Sequence, residues 1–115
     1  MKYDIRNLAY DKVTVSPSIL AADFGILDAD VAKCAAAGAD LLHLDVMDGH
    51  FVPNLTMGPP LLSSLRKATS LCFDTHLMIS HPLFYTPVFA KAGADHITFH
   101  VESDDDPAAV IKAIK

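Results

Sequence analysis

The stretch AGADLLHLD at 37–45 returns as AGADHITFH at 92–100, with Asp45 aligning on His100. This internal repeat restricts the possible folds more than any other feature of the chain. Gly38 and Gly93 suit the left-handed position just past a helix C-terminus, so each copy reads as a helix end, a tight turn and a strand. Between the copies, Pro59 and Pro60 can open a helix over 59–68, because the first helical position needs no N–H. The run LCFDTHLMI at 71–79 then reads as a strand. Ahead of the first copy, a strand is expected over VTVSPSIL at 13–20. A helix follows over about 24–37, where Phe24, Leu27, Val31 and Cys34 fall at helical spacing. The resulting order, β-α-β-α-β-α-β-α, argues for parallel βαβ units in a barrel or a doubly wound sheet.

Alternation along these strands carries the functional signal. A strand shows residues i and i+2 on one face, so His43, Asp45 and Met47 project together, opposite Leu42, Leu44 and Val46. By the same parity His76 and Met78 oppose Leu77 and Ile79, while His100 and Glu102 oppose Ile97, Phe99 and Val101. Ser16 and Ser18 oppose Val15 and Ile19. Four strands thus turn polar groups near their C-terminal ends to one face, as side chains at the mouth of a (β/α)8 barrel do.

His43, Asp45 and His76 form a two-histidine, one-carboxylate set suited to a borderline divalent ion such as Zn²⁺, Mn²⁺, Fe²⁺ or Co²⁺ with coordination positions left open. The same residue types also fit a set of satisfied core histidines, and both readings stand at this level. His50, His81 and His96 fall in turns or at strand starts and read as structural or exposed, and Asp48-Gly49 reads as a turn. Asp74 lies deeper on its strand than His76. Asp104, Asp105 and Asp106 read as a solvated acidic turn, with Asp106 capping a helix that Pro107 opens. The five glycines are isolated, so no phosphate-cradling loop is present.

Composition excludes several classes. The net charge is −5 and the nine Lys and Arg are scattered, with no basic stripe for nucleic acid. The opening MKYDIRNLAYDK has no apolar core of a leader, and no apolar run could span a bilayer, so a cytoplasmic chain without a membrane partner is expected. Cys34 and Cys72 form no Cys-x-x-Cys pair and read as small core residues in a reducing compartment.

The motifs SPSILAADF, LLHLDVMDGHFVPNLTMGP, DTHLM and AGADHITFHVES resemble, in order and spacing, the first half of the ribulose-phosphate 3-epimerase family, from about residue 13 almost to the end. The resemblance implies a metal-dependent TIM barrel of the α/β class, with this chain covering about the first four βα units. It implies interconversion of D-ribulose 5-phosphate and D-xylulose 5-phosphate, in the pentose phosphate pathway, by moving a proton on and off C3. Carried across, Ser18 and His76 contact the sugar phosphate, and His43, Asp45 and His76 are metal ligands. Asp45 is also one acid/base, and Met47 and Met78 cap the reacting centre. An allulose-6-phosphate 3-epimerase shares the metal set and the MDGHFVPN loop. A non-catalytic half-barrel is the reading from a different class.

A (β/α)8 barrel needs about 250 residues, and AAVIKAIK stops within a helix. Residues 1–115 are therefore expected to be a single-domain N-terminal half, with 1–12 as an extension. The second catalytic Asp, in a later Asp-Gly-Gly, and the phosphate grip lie outside it. On this reading the 115 residues alone turn nothing over, and their open strand edges favour a homo-oligomer. Pro87 is expected to make its helix start late or bend.

Overall fold

A computed structural model describes residues 4–115. Three parallel strands, β1 (Leu41–Met47), β2 (Cys72–Met78) and β3 (His96–Phe99), lie in sequence order in one sheet. They alternate with α1 (Leu27–Ala36), α2 (Pro59–Arg66), α3 (Pro82–Ala92) and α4 (Pro107–Ile114). The expected extension 1–12 begins in residues that lie outside the described ones. From Asp4 onward it forms a short turn, and Lys12 pairs with Asp40 at 3.1 Å.

The alternating pattern sorts the two sheet faces as the sequence requires. Leu42, Leu44, Val46, Phe73, Leu77 and Ile79 are buried against Val31, Leu62, Leu65 and Phe89 of the helices. The opposite face carries His43, Asp45, Asp74 and His76, all partly buried. Gly38 and Gly93 adopt φ of 99° and 123°, the left-handed geometry the repeat implies.

Four expectations need correction. The segment 13–20 is not a regular strand: it runs beside β1, where the Val15 and Pro17 carbonyls accept from Leu41 and His43, with a single bridge between Ser18 and His43. Pro17 has no N–H to return a ladder bond, and a 3-10 turn at Ile19–Ala21 ends the extended run. The helix expected from 24 opens instead as a 3-10 turn, Phe24–Ile26, because the Asp23 carboxylate accepts from Gly25 N–H. The last strand stops at Phe99, leaving Glu102 in an exposed turn. Finally, α3 does not start late: it begins at Pro82 and includes Pro87. The carbonyl deprived of a donor there belongs to Leu83, on the exposed side of the helix, where water can serve it.

Candidate metal centre

Strand register builds the site. Cα partners across the sheet are His43↔Asp74↔His96 in one row and Asp45↔His76↔Thr98 in the next. These rows stack the polar groups of the open face two deep. His43 Nε2 lies 3.2 Å from Asp45 Oδ1, and His76 Nδ1 lies 3.2 Å from the same oxygen. One donor atom from each of His43, Asp45 and His76 falls within 4.8 Å of the others. Two imidazole nitrogens and a carboxylate oxygen at that spacing fit a divalent ion of the zinc or manganese type, with further positions left for water or substrate oxygens.

Asp45 is the most elaborately held of the three. Ser18 Oγ donates to its Oδ2 at 2.6 Å. Thr56 Oγ1 donates to its backbone carbonyl at 2.6 Å and accepts from Met47 N–H at 3.0 Å. Burial favours the neutral acid, but the hydrogen bonds from Ser18 and His76 and the nearby imidazoles outweigh it and hold the Asp45 carboxyl below the usual carboxylate range. The group is therefore an anion at neutral pH.

A second tier supports the first. Asp74 Oδ2 lies 2.8 Å from His43 Nδ1, and its Oδ1 lies 2.7 Å from His96 Nδ1. Its burial is likewise outweighed by the hydrogen bonds from His96 and His43, so this carboxyl too is held low. His76 Nε2 meets His100 Nε2 at 2.7 Å, and Glu102 stands 3.7 Å from the far nitrogen of His100. Met47 and Met78 are register partners, two residues beyond Asp45 and His76 on the same face.

The loop after β1 is tied down rather than free. Asp48 accepts from the N–H groups of His50, Phe51 and Ser80 at 2.8–2.9 Å, and His50 Nδ1 bonds Ser80 Oγ. Asp105, read from sequence as solvated, accepts from Leu83 N–H at 2.8 Å and caps α3, while Asp106 caps α4 as expected. Cys72 is buried on β1's neighbour, where burial, with the charges of Asp95 and Asp74, pushes its thiol up to about 11. It is a core residue and not a nucleophile.

Asp74, His96, His100 and Thr56 are the members of this cluster that sequence reasoning did not assign. A signal existed for His100, which aligns with Asp45 in the repeat. The other three are brought in by register and loop packing.

Parallel βα units carrying a pair of histidines and a carboxylate on the polar face define an α/β chain with a candidate cation site. Residues 14–115 match the model of the ribulose-phosphate 3 epimerase family. Over 102 residues the chain is 51% identical to the ribulose-phosphate 3-epimerase of Treponema pallidum (strain Nichols), covering 89% of this chain and 47% of that protein. It is 52% identical over 101 residues to that of Mycobacterium bovis, covering 88% and 43%. With that of Bacillus subtilis (strain 168) it shares 48% over 103 residues, covering 90% and 48%. The chain belongs to the ribulose-phosphate 3-epimerase family, whose fold is a TIM barrel. It spans about half the length of the curated relatives it matches.

Proposed function

We propose that this chain supplies the cation-binding half of a ribulose-phosphate 3-epimerase site, acting on a ketopentose phosphate by proton transfer at C3. The observation that carries the reading is the convergence of one donor atom each from His43, Asp45 and His76 within 4.8 Å on adjacent parallel strands of a chain in this family. When bound there, a divalent ion supplies Lewis-acid stabilisation of charge developing on the substrate's oxygens. Asp45, kept ionised by Ser18 and His76, accepts the proton from one face of C3. A carboxylate held this low is a weak base, so stabilisation of the enediolate provides the remaining driving force. Ser18 holds the Asp45 oxygen that faces it and contacts substrate, and Met47 and Met78 offer an apolar surface that excludes water without adding a competing acid.

Inversion requires a second acid on the opposite face of C3. In the family pattern that group belongs to an Asp-Gly-Gly, which residues 1–115 do not contain. The 115 residues alone are therefore proposed to bind the cation without epimerising the sugar. No helix among the described residues is long and apolar enough to cross a membrane, which is compatible with a cytoplasmic setting.

Co²⁺ titration of the purified chain, read in the visible d–d bands, tests the centre with His43→Ala and Asp45→Asn as comparators. Saturable binding that weakens at least tenfold in each variant is the expected result. Equal binding by all three proteins overturns the assignment.

A further inference from the structure

We propose that Asp74 is a positioning residue of this centre, one that holds His43 in the tautomer protonated on Nδ1 and so turns Nε2 towards Asp45 and His76. The inference rests on the cation-centre reading and adds to it a residue that contacts none of the reacting atoms. Its basis is geometric. His43 has a carboxylate at each ring nitrogen: Asp74 Oδ2 at 2.8 Å from Nδ1 and Asp45 Oδ1 at 3.2 Å from Nε2. Only one nitrogen of a neutral imidazole can offer a lone pair to a cation; Asp45 is itself a ligand of that cation, so the carboxylate left to accept the ring proton is Asp74, at Nδ1. Among the described residues Asp74 accepts no backbone N–H, and its two oxygens go to two imidazoles.

The arrangement is reinforced from the far side. His96 Nδ1 lies 2.7 Å from Asp74 Oδ1, and the three residues are direct register partners across β1, β2 and β3. A carboxylate gripped at one oxygen by β3 cannot rotate freely at the other, so β3 fixes the aim of a donor two strands away. Both Asp74 and His43 are mostly shielded, with 18% and 29% of their side chains exposed, so water replaces the contact poorly. A carboxylate behind a ligating histidine fixes ring orientation and raises basicity, and its loss typically weakens metal binding by about 10–100-fold.

The test uses the purified chain with Asp74→Asn, Asp74→Glu and His96→Gln, titrated with Co²⁺ and checked by thermal unfolding. Asp74→Asn is expected to weaken Co²⁺ binding by about 10–100-fold and to shift the d–d bands, with partial rescue by Asp74→Glu and a smaller loss in His96→Gln. Long-range ¹H–¹⁵N correlation of the imidazoles in the Zn²⁺-loaded wild type gives a readout independent of how any variant folds. It should find the His43 proton on Nδ1. Binding by Asp74→Asn within twofold of the wild type, or a His43 proton on Nε2, overturns the proposal. Failure of the underlying centre is distinguishable, since wild type and His43→Ala would then titrate alike.

Discussion

Arg66, at the last turn of α2, is the basic side chain that ties together three segments of this fold. Its guanidinium donates to the carbonyls of Thr69 at 2.7 Å and Leu71 at 2.6 Å and to Asp95 Oδ2 at 2.9 Å, and it lies 3.8 Å above the Phe73 ring. Asp95 Oδ2 also accepts from Phe73 N–H at 2.8 Å. One cation thus joins the end of α2, the approach to β2 and the approach to β3. Hydrogen bonds to a charged group are worth about 1.5–3 kcal/mol each, and the stacked ring adds about 0.5–1 kcal/mol. The site retains some water access, with 27% of the Arg66 side chain exposed, so the lower values apply. Arg66→Leu is then expected to lose about 3–5 kcal/mol, much of the roughly 6–17 kcal/mol available to 115 residues. The assay is urea unfolding followed by circular dichroism, with the melting temperature expected to fall by more than about 10 °C. Arg66→Lys keeps the charge but not the fork, and should recover no more than about half of the loss. An unfolding free energy for Arg66→Leu within about 1 kcal/mol of the wild type would refute the reasoning.

Four further outcomes are expected. Gly93→Ala should destabilise more than Gly38→Ala: both positions have positive φ, but a Cβ at 93 would sit 2.9 Å from Arg66 Cδ, whereas among the described residues no neighbour comes within 4 Å of one at 38. Equal melting shifts would contradict this. Thr56→Val removes the partner of the Asp45 carbonyl and of Met47 N–H and should cost about 1–3 kcal/mol in denaturant titration, while no measurable loss would count against the clamp. The Asp48 carboxyl is held below its ordinary 3.8: burial opposes ionisation, but the N–H groups of Ser80, His50 and Phe51 prevail. Its contribution is therefore complete above the unfolded-state value and disappears as pH falls through the lower folded-state value. The stability gap between wild type and Asp48→Asn should shrink below about pH 4, and a gap that widened on acidification would reverse the sign. Lastly, among the described residues β3 has no strand on its outer edge, and Val101 and Phe84 are largely exposed. The purified chain is expected to self-associate in light scattering, and a dispersed monomer would contradict that.

Period-two alternation in LLHLDVM and CFDTHLM made the polar and apolar faces readable, because a strand leaves a side chain only two directions. The positive-φ glycines were readable for a similarly local reason. Pairing between strands was not local. That Asp74 falls between His43 and His96 depends on register set by packing of α2 and α3, which no stretch of β2 encodes by itself. The segment at 13–20 has strand-like residues, yet Pro17 lacks the donor a ladder needs. Pro87 looked like a helix breaker because its neighbours' exposure, which leaves the Leu83 carbonyl in reach of water, is a tertiary fact.

The sheet's unequal seams determine which part of the molecule a bound cation would stabilise. β1 and β2 are paired through seven residues, β2 and β3 through four. The loops closing these pairs differ too little in length to matter, since doubling a loop costs only about 0.6 kcal/mol. Opening should therefore begin at β3 and α4, and it would leave His43, Asp45 and His76 on the closed pair. In amide exchange, a cation would slow β1 and β2 by a factor that grows as one plus the ratio of cation concentration to Kd, while β3 amides that exchange through this partial opening would be slowed only by the smaller share of the affinity that the His96–Asp74 contact contributes.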